Sequence, residues 1–154
     1  MIGQLVDTAA LVADLAATNK DAALKELLSV AQAAGAFGTK ATKGLHKRLV
    51  EREAVGSTGL GNGVAVPHVK GDEIEKVVLV LARAKKGLEW HAIDGRAVNI
   101  LFLLASPKDD PDMHLQCLRW IATLARSADF RRFFLDARDD RAMRDLLREM
   151  APKV

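Results

Sequence analysis

The sequence has a single cysteine, Cys117, in 154 residues. That excludes an intramolecular disulfide and a cysteine-built metal site, and it suits a reducing cytoplasm. Long apolar runs are also missing. The longest, at residues 77–82 and 100–105, fall far short of the roughly 20 residues a membrane-spanning helix needs, so no membrane insertion is expected. The start, Met1-Ile2-Gly3-Gln4, lacks the basic segment and apolar stretch of a secretory signal. Charge of one sign is not concentrated anywhere. The 23 basic and 20 acidic residues leave a net charge of +3, which gives no argument for nucleic-acid binding. Nucleotide-phosphate chemistry is unsupported as well. There is no Walker-type lysine loop, no kinase motif and no carboxylate cluster suited to magnesium. Repeats, low-complexity segments and linkers are absent, so a single domain over residues 1–154 is expected.

What is present is organised around Ser57-Thr58-Gly59-Leu60-Gly61-Asn62-Gly63-Val64-Ala65-Val66-Pro67-His68. Alternating glycines let the backbone turn with positive φ and bring its N–H groups towards a ligand. Residues 64–66 suit a strand, and Pro67, without an N–H, ends its ladder. His68 then falls just past a strand end, where α/β sheets place ligand contacts. Two readings stand side by side: an anion cradle beside an imidazole, and a glycine-rich hairpin with a surface histidine.

Around this stretch the expected order is as follows. A short strand lies within residues 9–17. Thr18 and Asp21 resemble a capping box, opening a helix with apolar Leu24, Leu27, Leu28, Ala31 and Ala34 that stops at Gly35. A second helix runs from Gly38-Thr39 to about Ala54, with Ala41, Leu45 and Leu49 on its apolar face. Arg52 falls on that face too, where it needs an anionic partner unless it reaches out to solvent; Glu51 and Glu53 point elsewhere. Lys40, Lys43 and Lys47 form a solvated basic stripe. A buried strand covers residues 77–82, Lys85-Lys86-Gly87 marks a turn, residues 88–93 form a short edge strand, and Asp94-Gly95 marks a second turn. Residues 98–105 are a central strand. Asp110 caps a helix with Pro111 at its first position. His114 shares that helix's buried face with Leu118, Ile121 and Ala125, either as a core histidine or as a neutral site histidine. Helices over residues 129–135 and 139–150 end the chain, the second carrying a stripe of Arg138, Arg141, Arg144 and Arg148 read as a solvated face.

An anion-binding loop, an arginine and two site-like histidines suggest phosphoryl chemistry, since a neutral imidazole is a competent nucleophile towards phosphorus. Transfer from another phosphoprotein needs none of the missing nucleotide apparatus. Two histidines are too few to hold a metal, and Arg52 would repel a cation; neither metal nor cofactor is expected.

Glu51-Arg52-Glu53 followed by the stretch from Gly56 to His68 resembles the enzyme IIA domain of the bacterial phosphoenolpyruvate-dependent phosphotransferase system. The similarity is to the fructose–mannitol class, and within it to the nitrogen-regulatory branch. It extends to Asn19-Lys20-Asp21, to Trp90-His91-Ala92-Ile93-Asp94-Gly95 with the strand at residues 100–105, and to His114-Leu115. The resemblance implies an α/β fold of three layers, a mixed β-sheet with helices on both faces. It implies that His68 accepts a phosphoryl group on Nε2, that His114 and Arg52 hydrogen-bond the phosphoryl oxygens, and that Thr58, Gly61, Asn62 and Gly63 serve the phosphoryl group or the docking partner. Asn62 stands where the mannitol branch has a glutamate. The implied donor is the small histidine-containing phosphocarrier protein, and the downstream partner is a regulatory target or a separate enzyme IIB. The alternatives are a sugar-transport enzyme IIA and a binding module without phosphotransfer. Two departures stand out. Val69 replaces the glycine that usually follows the histidine and is expected to crowd the docking partner, and His91 stands where an acidic residue is common.

Overall fold

The structure, a computed structural model, describes residues 2–151. Its centre is the apolar run of the sequence. Strand β6 (Val98–Pro107) pairs antiparallel with β5 (Val78–Leu88) along one edge. Along its other edge it pairs parallel with β3 (Val64–Ala65) and β4 (His68–Gly71). β1 (Ala10–Val12) lies parallel to the outer edge of β5, and β2 (Gly59–Gly61) folds back antiparallel on β3. The sheet is therefore six-stranded and mixed.

Both faces of β5 and β6 are covered, which is why these segments read as unbroken apolar runs instead of alternating ones. On β6, Leu101, Leu103 and Ala105 face the helices α2 (Lys20–Ala33) and α3 (Thr42–Val55), meeting Leu24, Leu27, Leu28, Leu45 and Leu49. Ile100, Phe102 and Leu104 face the opposite layer, where α1 (Ile2–Thr8), α4 (Pro111–Arg126), α5 (Ala128–Asp136) and α6 (Asp140–Met150) contribute Leu5, Trp120, Ile121, Phe130, Phe134 and Leu147. This is the three-layer α/β arrangement that the sequence resemblance implies.

Several local expectations differ from the structure. The α2 cap is Asn19, whose side chain accepts from the Ala22 N–H at 2.9 Å; Thr18 stands outside it. Helix α1 had no counterpart in the sequence reading. A 3₁₀ turn at Thr39–Ala41 precedes α3. Lys85-Lys86-Gly87 is not a turn but part of β5. The register with β6 shifts between Arg83 and Leu88, Gly87 has φ 78°, and the Asn99 side chain donates to the Ala84 carbonyl across the irregularity. This is a bulge, which uses the same residue types as a turn.

Residues 89–93 are not a strand either. They alternate in burial, Trp90 and Ala92 inward and His91 and Ile93 outward, which imitates a strand's period of two. The Trp90 carbonyl, however, accepts from side chains, Ser57 Oγ at 2.8 Å and Lys20 Nζ at 3.1 Å, and His91 turns with φ 55°. The arginine stripe of α6 is only partly solvated. Arg144 donates to the carbonyls of Val6, Asp7 and Ala9, and Arg148 pairs with Asp7, fixing the end of α1.

Candidate functional site

Pro67 interrupts the edge of the sheet without ending it. It has no N–H, but its carbonyl accepts from Leu104 N at 3.1 Å, so pairing with β6 resumes and His68 opens β4 opposite Leu104. His68 therefore sits within the edge of the sheet, not beyond it. Its Nδ1 lies 2.8 Å from the Val66 carbonyl. A carbonyl only accepts, so Nδ1 carries the hydrogen, and in the neutral ring Nε2 holds the free lone pair.

Across from it, Asp110 caps α4 through the Met113 N–H, and Pro111 occupies the first position. This places His114 in the first turn, facing the sheet. The two imidazole centroids are 5.6 Å apart, with ring planes inclined by 57°. His114 is buried, and its Nδ1 lies 2.8 Å from Ser106 Oγ. Burial first, then the facing His68 and Lys70, bring its pKa down to about 4, so the ring is neutral near neutral pH.

Arg52 completes the group, though not as an inward side chain. The buried residues of α3 are Leu45 and Leu49, and Arg52 is exposed on the last turn, where Nη1 donates to the Gly56 carbonyl at 2.6 Å. From there it lines a cleft of about 230 Å³ together with Ser57, Thr58, Leu60, Val66, His68, Leu118 and Ala122. Among these lining residues Arg52 carries the one permanent charge. A half-buried nucleophilic nitrogen, an N–H-bearing ring beside it and a guanidinium at the rim are suited to receiving a small anion.

The glycine stretch is a hairpin. Gly61, Asn62 and Gly63 have φ of 89°, 58° and 79°, and they close the turn between β2 and β3. The Asn62 N–H is taken by the Asp94 carboxylate at 2.9 Å, and this contact, with the Arg96 N–H, holds the Asp94 carboxyl below the usual carboxylate range. These three residues do not line the His68 cleft. Thr58 does line it, but its N–H and hydroxyl both donate to Glu53. Val69, expected to crowd a docking partner, is buried against the α2–α3 layer, on the face of the sheet opposite His68. His91 is exposed beside Glu89.

The sequence reading overlooked Glu53 and Ser106. Glu53 lies four residues after Leu49, so its spacing matched the buried stripe as well as Arg52's did. It accepts from Thr58 and pairs with Lys20 at 3.0 Å, while Trp90 Nε1 donates to Thr58 Oγ1 at 3.3 Å. Ser106 continues the alternation of Ile100, Phe102 and Leu104, which points it at α4. Among the described residues no group of three or more histidine, cysteine, aspartate or glutamate side chains could hold a metal ion. No helix among them is long and apolar enough to cross a membrane.

Comparison with known proteins gives a consistent picture. Residues 4–150 match the family described as "Phosphoenolpyruvate-dependent sugar phosphotransferase system, EIIA 2". A nitrogen regulatory protein of Bradyrhizobium diazoefficiens is 34% identical over 146 residues, covering 95% of this chain and 94% of that one. A fructose-specific EIIA component of Haloferax volcanii is 30% identical over 131 residues, covering 85% and 84%. The crystal structure of nitrogen regulatory protein IIA-Ntr from Neisseria meningitidis superposes with a TM-score of 0.84 at 24% identity, covering 95% of this chain and 98% of that one, which shows the shared fold.

Proposed function

The chain belongs to the EIIA-2 family of the phosphoenolpyruvate-dependent sugar phosphotransferase system, and from that premise we propose that it is a phosphohistidine carrier with His68 as the acceptor. The observation that carries this reading is the pairing of His68 and His114 at 5.6 Å, with His68 held so that Nε2 keeps its lone pair. In the transfer, that lone pair attacks phosphorus in line as the donor's own N–P bond breaks, and the breaking bond's electrons return to the donor ring. The Val66 carbonyl stabilises the positive charge that develops on the acceptor ring. His114 and Arg52 act on the phosphoryl oxygens. Thr58, with both donors occupied by Glu53, shapes the cleft wall, and Gly61, Asn62 and Gly63 shape the surface where the partner docks. The donor is the histidine-containing phosphocarrier protein.

The protein acts as a phosphorylation-dependent regulator. The relative of Bradyrhizobium diazoefficiens, alike over nearly its whole length, is a nitrogen regulatory protein, which supports regulation. The fructose-specific relative supports a second reading, in which the phosphoryl group passes to a separate enzyme IIB.

The test mixes the protein with phosphoenolpyruvate, enzyme I and the carrier protein. Intact mass is expected to show one acid-labile phosphoryl adduct, absent in His68→Ala. No adduct on the wild type overturns the carrier reading. Affinity capture with and without phosphorylation separates the two roles: capture of an enzyme IIB alone favours transport over regulation.

A further inference from the structure

Ser106 lies on β6 with no solvent exposure, opposite Lys70 of β4. Its hydroxyl has one side-chain partner among the described residues, His114 Nδ1 at 2.8 Å. Two arrangements fit that distance. In one, His114 donates from Nδ1–H to Oγ. The serine hydrogen is then left without an acceptor among the described residues, and an unmatched buried donor is costly. In the other, Ser106 donates to a bare Nδ1. The serine hydrogen is then matched, and the hydrogen without a partner among the described residues is the one on the His114 ring, which is 5% exposed and can meet water where fully buried Ser106 cannot. The second arrangement requires the His114 ring to carry its hydrogen on Nε2, the nitrogen with no hydrogen bond among the described residues.

We propose that Ser106 is a positioning residue that holds neutral His114 in its Nε2–H form, so that this nitrogen donates a hydrogen bond to an anionic group carried by His68. The two facing rings are thereby kept in complementary states. The Val66 carbonyl gives His68 an Nε2 lone pair, and the Ser106 hydroxyl gives His114 an Nε2 hydrogen. A second bare nitrogen opposite a phosphoryl oxygen would repel it, so the serine converts a neutral ring from repulsive to attractive without the cost of protonating a buried group. The low pKa of His114 is consistent with this, because a ring that stays neutral needs its tautomer chosen.

This inference rests on the carrier reading for its purpose but not for its test. Two-bond proton–nitrogen correlation spectra of the unphosphorylated protein near neutral pH distinguish a bare from a protonated Nδ1 directly. The expected result is a protonated Nε2 on His114 and a protonated Nδ1 on His68. A wild-type His114 protonated on Nδ1 overturns the proposal, whatever the protein does with phosphate. In Ser106→Ala the His114 signals are expected to move to a mixture of tautomers while His68 is unchanged, and Ser106→Thr, which keeps the hydroxyl, is expected to restore them. An unchanged His114 in Ser106→Ala also overturns it. With phosphorylated carrier protein, Ser106→Ala is expected to accept the phosphoryl group roughly five- to tenfold more slowly, the loss of one hydrogen bond made in the transition state. Failure of the wild type to accept phosphate would count against the carrier reading and leave the spectra to decide the tautomer.

Discussion

Glu53 holds Thr58 by both of its hydrogen-bond donors. The carboxylate accepts the Thr58 N–H at 3.0 and 3.1 Å and its hydroxyl at 3.0 and 2.5 Å. The same carboxylate pairs with Lys20 at 3.0 Å, and Lys20 in turn lies over the Trp90 ring and donates to its carbonyl. The last turn of α3, which carries Arg52, is thereby tied to the loop leading into the hairpin, to the start of α2 and to residues 89–97. The cleft beside His68 has a rigid wall on one side because a buried carboxylate has gathered its partners there.

Removing that carboxylate leaves two threonine donors without an acceptor and a partly buried ammonium, still bonded to the Trp90 carbonyl, without its counter-charge. Glu53→Ala is expected to lower stability by about 2–4 kcal/mol. Urea unfolding checks this: the midpoint should fall at unchanged slope, since the denatured chain is not altered. Glu53→Gln keeps one acceptor oxygen and is expected to lose less.

How far the sequence discloses this architecture depends on which force shapes each part. Burial on both faces leaves an unmistakable mark, and β6 is legible at once. The same holds for α4, where Asp110 and Pro111 announce the start and His114 falls on the inward face. Polar tethers leave no such mark. Glu53 and Arg144 have the spacing of inward residues, but a charged side chain reads as solvated until its partners, brought from residues far along the chain, are in place. Lys85-Lys86-Gly87 and residues 88–93 fail differently. A bulge shares its residue types with a turn, and a loop pinned by Trp90 shares its alternation with a strand. His68 and Arg52, which share the cleft, and His114, whose ring lies 5.6 Å from that of His68, were each visible as residue types. Their convergence was visible through the family resemblance, not through spacing, because β4, α3 and α4 meet only in the folded sheet.

Arg83 shows the same kind of tether on the opposite layer. It is 3% exposed on β5, and its guanidinium donates to the Ala13 carbonyl and to the carbonyls of Phe134, Leu135 and Ala137 at the end of α5. The last carbonyls of a helix lack the full set of intrahelical partners, and of these the Phe134 carbonyl also accepts the Ala137 N–H at 3.3 Å. Arg83→Met keeps the length and removes every donor, and a loss of about 2–4 kcal/mol is expected in thermal or urea unfolding. Arg83→Lys is expected to fall between the two, since one ammonium cannot reproduce the fork.

Gly59 is required by a close approach. A Cβ built there lies 2.6 Å from Ala92 Cβ and 3.0 Å from Ala92 Cα. Gly59→Ala therefore pushes residues 89–97 away from the hairpin, at an expected cost of about 1–3 kcal/mol. Ala92→Gly in the same chain removes the nearer contact but not the backbone one. The double variant is expected to be less destabilised than the sum of the single ones, a coupling that a double-mutant cycle measures. Additive losses would place the strain elsewhere.

His114 makes stability depend on pH in a stated direction. Burial above all, helped by His68 and Lys70, lowers its pKa from 6.5 to about 4 in the folded protein. Between those values the unfolded chain takes up a proton that the folded chain refuses. The contribution of the neutral ring is thus complete above about pH 6.5 and is lost as the pH falls towards 4, by about 1.4 kcal/mol per pH unit. From about pH 7 to about pH 5, the wild type is expected to lose up to about 2 kcal/mol more than His114→Gln, which has no ring to protonate. Urea midpoints for both proteins at the two pH values provide the comparison, and the difference cancels the acidic groups that both chains share. Equal losses would mean that His114 titrates alike in the folded and unfolded states, and that burial against Ser106 and His68 does not keep the ring neutral.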